Sequence, residues 1–310
     1  MYLSYYNPER FKFYHDYLLR DKRIKYSGQE LIHKTAIFIS EEKNVYIDTS
    51  DGVNDDLGIY EYCGRIRRVI EHADGKHFVY LKSAYSEKWS KNIVNLANKN
   101  NGIVVPFFKW SFNSQFYSYV FGKKEKIRAK YENLPKKYDI GVFFADKKYR
   151  YPKPSSALPD ISHTDHNTFN IPGQSSNTGY YDNNSRKNLL GKLKSTNFKV
   201  LHTSCSYKDY IKKSFECKVV INPPGIGEYT SRMVDQSYLG NCIVVRKNSY
   251  DNAHTWKNHI PEVDFDSMTW EDDLKKIIQN YSEHQDACEE YYNTYWTPEA
   301  ICKYLNQYLY

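Results

Sequence analysis

The residues best suited to chemistry lie in one stretch, Val219–Val245, which reads VVINPPGIGEYTSRMVDQSYLGNCIVV. An apolar run ends in a loop with Gly225 and Gly227, and a helix-competent segment follows. Such a loop presents unpaired backbone N–H groups and the positive end of the helix dipole to an anion. Arg232 falls about one turn into the helix, and Asp235 lies further along the same face. The pattern predicts a diphosphate pocket with a cation and a carboxylate on one wall.

Alternating strands and helices surround this stretch and must position it. Buried strands are predicted at 140–144, 199–202, 218–221 and 242–245, and helices at 185–194, at 207–215 and from about 228. The polar segment GKKEKIRAKYENLPKK precedes the first of these strands and predicts a domain boundary near residue 135. Such alternation is typical of a parallel sheet, whose ligands bind beyond the carboxyl ends of the strands.

The first half of the chain shows the same alternation. Apolar runs at 35–39, 44–47, 77–81 and 102–108 predict strands, and residues 55–72 follow a helical period. Both halves together predict an α/β protein with a cleft between two domains, 1–135 and 136–297. The last helix, 298–310, is expected to pack back on the first domain.

Composition narrows the possible partners. The chain has 310 residues and a net charge of +7, spread too diffusely for a nucleic-acid surface but suited to a phosphate-bearing ligand. Its six cysteines include no CxxC pair, which favours reduced thiols in a cytoplasmic protein. Because the charge is diffuse, we expect no nucleic-acid partner. No apolar run approaches about 18 residues, so we expect no membrane anchor.

Several segments carry a resemblance to a known family. They are Tyr138–Phe144, the helix Lys208–Ile211 before Lys218–Asn222, the motif Pro-Gly-x-Gly-x-x-Thr-Ser-Arg-x-x-Asp that starts at Pro224, and Gly240–Val245. These segments resemble the C-terminal half of GT-B glycosyltransferases, the exostosin-type enzymes in particular, and the chain is also similar to sugar transferases of large DNA viruses of algae. The sequence departs from the exostosin pattern in having Asp235 for a glutamate and Val244 for a proline.

The resemblance implies two Rossmann-like domains facing a cleft, with a nucleotide-diphosphate sugar as co-substrate. It also implies an arginine near the diphosphate and an acidic residue on the donor ribose, at Arg232 and Asp235. The full predicted donor site comprises Gly225, Gly227, Glu228, Tyr229, Thr230, Ser231, Arg232, Asp235, Lys82 and Tyr207. The last two follow predicted strands, so that Lys82 could reach a phosphate or sugar hydroxyl and Tyr207 could stack on a nucleobase. For both, a packing or surface role is the alternative.

Sugar transfer needs a base that takes the proton from the acceptor hydroxyl. Asp51 and Asp48 are the candidates, because they follow the predicted strand 44–47 and would face the cleft. Asp51 is the preferred base, although its position before Gly52 also suits a turn. Glu228 and Asp235 are one residue closer than the Glu-x7-Glu pair of many retaining GT-B enzymes, which favours inversion.

No metal is expected. The histidines and aspartate of the segment 162–166 lack a regular scaffold, and Asp264-Phe265-Asp266 reads as a turn or helix lead-in. The sequence thus predicts an inverting, metal-independent glycosyltransferase that uses a UDP-sugar, xylose or a hexose, and a glycan acceptor. A non-catalytic nucleotide- or glycan-binding protein on the same fold is the alternative. An NAD enzyme is disfavoured, because no GxGxxG follows the first strand.

Overall fold

The fold is described from a computed structural model, which covers residues 1–4, 20–27, 35–48, 59–83, 85, 87–107, 119–144, 183–222, 231–247 and 259–310. These residues form two β-sheets, one of six strands and one of five, with helices between the strands. No helix among them is long and apolar enough to cross a membrane.

The first sheet is mixed. Its strands and intervening helices are β1 (Tyr2–Ser4), β2 (Lys25–Tyr26), β3 (Thr35–Ile39), β4 (Lys43–Asp48), α1 (Ile59–Ala73), β5 (His77–Ser83), α2 (Glu87–Lys99) and β6 (Gly102–Phe107). The strand order is β2-β1-β3-β4-β5-β6. Strands β4, β5 and β6 are parallel, as predicted, but β3 is antiparallel to β4. The prediction of an all-parallel sheet is wrong here, because the connection 40–42 is too short for a parallel crossover and closes a hairpin.

The second sheet is parallel throughout. It follows α3 (Lys124–Tyr131) and contains β7 (Tyr138–Phe143), α4 (Asn183–Lys194), β8 (Val200–Thr203), α5 (Tyr207–Phe215), β9 (Cys217–Asn222), α6 (Ser231–Leu239), β10 (Cys242–Arg246) and β11 (Glu262–Val263). The strand order is β11-β10-β9-β7-β8. Strand β8 pairs with one edge of β7, and the chain then crosses over so that β9 pairs with the other edge of β7. The topological switch point, where such sheets bind ligands, therefore lies between β7 and β9.

Apolar side chains cover both faces of the two sheets. One core cluster joins residues of both sheets, among them Val45, Leu81, Val220 and Ile243. Separate clusters cover the opposite face of the second sheet and of the first. Full burial of one such aliphatic side chain contributes about 1.5–3 kcal/mol, so these clusters hold the strand ends in fixed positions. The predicted α/β fold with two sheets in series is confirmed.

The C-terminal helices return the chain to the first sheet. They are α7 (Trp270–Gln279), α8 (Tyr281–Tyr291), a π-helical turn (Tyr292–Trp296) and α9 (Pro298–Leu309). Helix α9 begins where the Thr297 hydroxyl accepts from the Ala300 N–H at 3.2 Å. The Tyr304 hydroxyl donates to the carbonyl of Pro106 in β6 at 2.6 Å, which ties α9 to the first sheet. The two domain ranges given by the sequence stay a prediction.

Candidate functional site at the carboxyl edge of the second sheet

Helix α6 carries the arginine and the carboxylate predicted for the donor site. It begins at Ser231, and its period of about 3.6 residues places Arg232, Asp235 and Gln236 on one face. Strand β9, which precedes it, is a buried apolar run that ends in Asn222, a polar residue only 2% exposed. The end of β9 and the start of α6 thus lie at the carboxyl edge of the parallel sheet.

Arg232 bridges the two strands of the switch point. One terminal nitrogen, Nη1, donates to the carbonyl of Phe143, the last residue of β7, at 2.7 Å. Its Nε donates to Oδ1 of Asn222, the last residue of β9, at 3.4 Å. An arginine side chain has five N–H hydrogens. Two are used in these bonds, and the described part of the chain offers no partner for the rest.

The surroundings of Arg232 favour an anionic ligand. The side chain is half-buried, and burial lowers the pKa of its guanidinium, while the nearby carboxylate of Asp235 acts in the opposite direction. Arginine stays protonated in proteins, so the edge of the sheet keeps a positive charge in surroundings of low dielectric constant. Within the described residues no carboxylate forms a salt bridge with Arg232. The cation is held in place by neutral acceptors and can still bind a phosphate.

Asp235 is a buried carboxylate whose two oxygens differ in their hydrogen bonds to the described residues. Its side chain is 1% exposed, and the Tyr207 hydroxyl donates to Oδ2 at 2.8 Å. The second oxygen, Oδ1, is buried and accepts no hydrogen bond from the described residues. Burial raises the pKa of Asp235 to about 7, although the Tyr207 bond and the Arg232 charge lower it. A buried carboxylate oxygen that accepts no hydrogen bond destabilises the folded state, and a hydrogen bond from a ligand hydroxyl can offset that cost.

A buried polar network lies beside this carboxylate. Gln236 Nε2 donates to the Tyr210 hydroxyl at 2.6 Å. Asn241 Nδ2 donates to Gln236 Oε1 at 2.9 Å and to Ser214 Oγ at 3.2 Å. Sequence reasoning missed Gln236, Asn241 and Ser214 as members of this network. The signal was available, because the helical periods of α5 and α6 turn Ser214 and Gln236, both polar, toward the sheet.

Tyr207, predicted to stack on a nucleobase, is the first residue of α5. The structure brings its hydroxyl to Asp235, and its ring centroid lies 5.5 Å from that of Tyr210 and 6.2 Å from that of Tyr119. Burial, followed by the negative charge of Asp235, raises the pKa of Tyr207, so the phenol stays protonated and donates.

The structure also brings together the two predicted site residues of the first sheet. Asp48 ends β4 and lies opposite Lys82 of β5 in the register. Both side chains are fully buried and form a salt bridge of 3.0 Å, and the Tyr80 hydroxyl donates to the same Asp48 oxygen at 2.6 Å. Asp48 remains a predicted base and Lys82 a predicted donor contact, but each is engaged with the other here.

Six of the predicted site residues lie outside the described residues: Asp51, Gly225, Gly227, Glu228, Tyr229 and Thr230. Ser231 opens α6, and its side chain is not described. The segment 162–166, considered for a metal site, also lies outside the described residues. Across the described ranges, no group of three or more His, Cys, Asp or Glu side chains is placed to hold a metal ion. Asp266 of the predicted turn 264–266 pairs with Arg246 and Lys192.

Comparison with known proteins finds similarity only at the level of solved structures. No protein-family model matches the chain, and no curated protein matches it. The sucrose-phosphate synthase of Thermosynechococcus elongatus is similar over 98% of this chain and 71% of that one, at 11% identity and a TM-score of 0.45. WaaG, a glycosyltransferase involved in lipopolysaccharide biosynthesis, is similar over 96% of each chain, at 10% identity and a TM-score of 0.39. TarM is similar over 79% of this chain and 53% of its own, at 11% identity and a TM-score of 0.40. Similarities this distant assign neither a donor nor a reaction to the chain.

Proposed function

We propose that this chain is a glycosyltransferase that moves a sugar from a nucleotide-diphosphate donor to a glycan hydroxyl. The observation that carries the proposal is the pair Arg232 and Asp235 on one face of α6, at the switch point of a parallel sheet. Within the described residues, the arginine keeps N–H groups and the buried carboxylate keeps an oxygen that make no hydrogen bond, which suits the diphosphate and the ribose of a nucleoside diphosphate.

Arg232 fits the diphosphate. Its two bonds to strand ends fix the plane of the guanidinium, so little side-chain entropy is lost when a phosphate binds. Charge-assisted bonds from arginine to phosphate are about twice as strong as neutral ones. When the bond between the sugar and the phosphate breaks, the leaving diphosphate keeps the electron pair, and a fixed cation stabilises that charge.

Asp235 fits the ribose. Tyr207 occupies Oδ2, which leaves Oδ1 as the oxygen able to accept from a ribose hydroxyl. With a pKa of about 7, the side chain is divided between its charged and neutral forms near neutral pH. The charged form accepts the stronger hydrogen bond, so donor affinity should rise as the pH increases through this range.

The acceptor side of the reaction needs a base. The acceptor hydroxyl loses its proton to the base as its oxygen bonds to the sugar carbon and the phosphate leaves. Asp51 remains our candidate for this role. We also retain inversion, independence of a metal, and a UDP-sugar of xylose or a hexose as parts of the proposal, supported by the spacing of Glu228 and Asp235 and by the resemblance.

The proposal is tested by a thermal-shift panel of UDP- and GDP-sugars, each with and without EDTA. A ligand present at about 100 times its Kd stabilises the folded state by about 2.7 kcal/mol, which for a domain of this size is a shift of about 5 °C or more. We expect a UDP-sugar to give such a shift and EDTA to leave it unchanged. No shift with any nucleotide sugar refutes donor binding, and a shift lost in EDTA refutes metal independence.

One observation favours a second candidate, a nucleotide- or glycan-binding protein without catalysis. Asp48, one of the two predicted bases, is buried in its ion pair with Lys82. Replacement of Asp51 by Asn separates the candidates. In an enzyme, release of nucleoside diphosphate in the presence of acceptor should fall by about 100-fold or more while donor binding persists. In a binding protein, neither the wild type nor the variant turns over.

A further inference from the structure

The bond between Tyr207 and Asp235 joins two elements that are far apart in the chain. Tyr207 begins α5, and Asp235 lies in α6, 28 residues later. The start of α5 is itself fixed, because the Ser206 hydroxyl accepts from the Asp209 N–H at 3.2 Å and donates to the Asp209 carboxylate at 2.7 Å. The phenol is therefore supplied from a capped helix end.

We propose that Tyr207 is a positioning residue, whose hydroxyl holds Oδ2 of Asp235 and so reserves Oδ1 for a hydroxyl of the ligand. This inference rests on the proposed function and deepens it. A carboxylate can rotate about its last bond, and one fixed oxygen also fixes the other. Tyr207 then acts on the donor through Asp235 and makes no contact with the nucleobase.

The ring contacts of Tyr207 agree with this role. The ring packs beside Tyr210 on its own helix and beside Tyr119 from the segment before α3. Packing on two sides stiffens the ring, so that the hydroxyl stays within 2.8 Å of Asp235. The bond is made by a neutral phenol to a buried carboxylate, a pairing that is strong in low-dielectric surroundings.

The Tyr207 bond also affects the protonation of Asp235. Among the described residues, the ionisable groups that interact with Asp235 are Tyr207 and Tyr210 of α5 and Arg232 of its own helix, and burial raises the pKa of Tyr210, so its phenol stays neutral. The Tyr207 bond and the Arg232 charge both lower the pKa of Asp235 against the larger effect of burial. Loss of the Tyr207 hydroxyl should therefore raise the pKa of Asp235 and leave more of it neutral at pH 7.

The substitution Tyr207→Phe separates positioning from stacking, because it removes the hydroxyl and keeps the ring. Tyr210→Phe is the matched control, since it removes a buried hydroxyl of the same helix that bonds to Gln236 and not to Asp235. For each variant and the wild type, the Kd of UDP is measured by calorimetry from pH 5.5 to 8.5, with Asp235→Asn as the reference for a lost carboxylate.

We expect Tyr207→Phe to raise the Kd of UDP by about 10-fold at pH 7. The pH at the midpoint of the change in Kd should also move upward. Tyr210→Phe should leave that midpoint in place. If Tyr207→Phe changes neither affinity nor midpoint while Asp235→Asn weakens binding, the positioning role is overturned and the proposed function stands. If the wild type does not bind UDP at any pH, both the positioning role and the UDP-sugar donor are overturned.

Discussion

Lys82→Met should strongly destabilise the protein, because it leaves the buried carboxylate of Asp48 without its cation. The two side chains are 0% exposed, and their charged atoms lie 3.0 Å apart, so bulk solvent does not reach the charge that remains. Loss of one partner from such a pair costs about 3–5 kcal/mol. With a urea m-value of about 3 kcal/mol/M, the unfolding midpoint should fall by about 1 to 1.7 M.

The double variant Lys82→Met with Asp48→Asn tests the cause. If the cost comes from an unpaired charge and not from lost packing, removal of both charges should restore most of the stability. Lys76→Met is the control, since Lys76 is an exposed lysine just before the same strand and its replacement should change stability by less than about 0.5 kcal/mol.

Urea unfolding is followed by tryptophan fluorescence and by circular dichroism, so that unfolding of one domain alone is recognised. The reasoning is refuted if Lys82→Met shifts the midpoint no more than Lys76→Met does. It is also refuted if the double variant is as unstable as the sum of the two single variants.

Two further predictions concern Asp235 and Gly240. Burial raises the pKa of Asp235 from 3.8 to about 7, so between pH 3.8 and pH 7 the folded state binds a proton that the unfolded state does not. The free energy of unfolding should therefore fall as the pH rises through this range, by about 4 kcal/mol in total. Asp235→Asn should therefore match the wild type in melting temperature near pH 4 and exceed it at pH 8; a difference that does not vary with pH contradicts this. Gly240→Ala should lower the free energy of unfolding by about 1–2 kcal/mol, because Gly240 has φ +72° and a Cβ there would lie 2.7 Å from the Glu289 carboxylate. Gly191→Ala, in helix α4 with open space around it, should instead stabilise by up to about 1 kcal/mol, and equal effects of the two in urea unfolding would refute the argument.

Local patterns predicted most elements of the second sheet. Helix α5 was expected at 207–215 and has those bounds, because Ser206 caps it and its apolar period is regular. Strand β9 contains the continuous apolar run 219–221 and could be recognised as buried on both faces. In the first sheet the same reading missed the hairpin between β3 and β4, since an apolar run does not encode the direction of its partner.

The contacts of the site could be predicted only in part. The spacing of Arg232 and Asp235 predicts that they share one face of a helix, and both lie in α6. The bond of Arg232 to the carbonyl of Phe143 joins residues 89 apart, and that of Tyr207 to Asp235 joins residues 28 apart. Such contacts depend on how the strands are ordered, and no local pattern specifies that order. The pairing of Asp48 with Lys82 likewise follows from the register of β4 and β5.

Binding of the donor diphosphate by Arg232 is tested by calorimetric titration of the Arg232→Met variant. The ligands are the nucleoside diphosphate that gives the largest thermal shift and the matching nucleoside. The control is Arg246→Met, which removes an arginine from the end of the neighbouring strand β10 that already pairs with Asp266. We expect Arg232→Met to raise the Kd of the diphosphate by about 10- to 100-fold and to leave the Kd of the nucleoside unchanged. Equal losses for both ligands, or a diphosphate affinity that Arg232→Met does not alter, would contradict it.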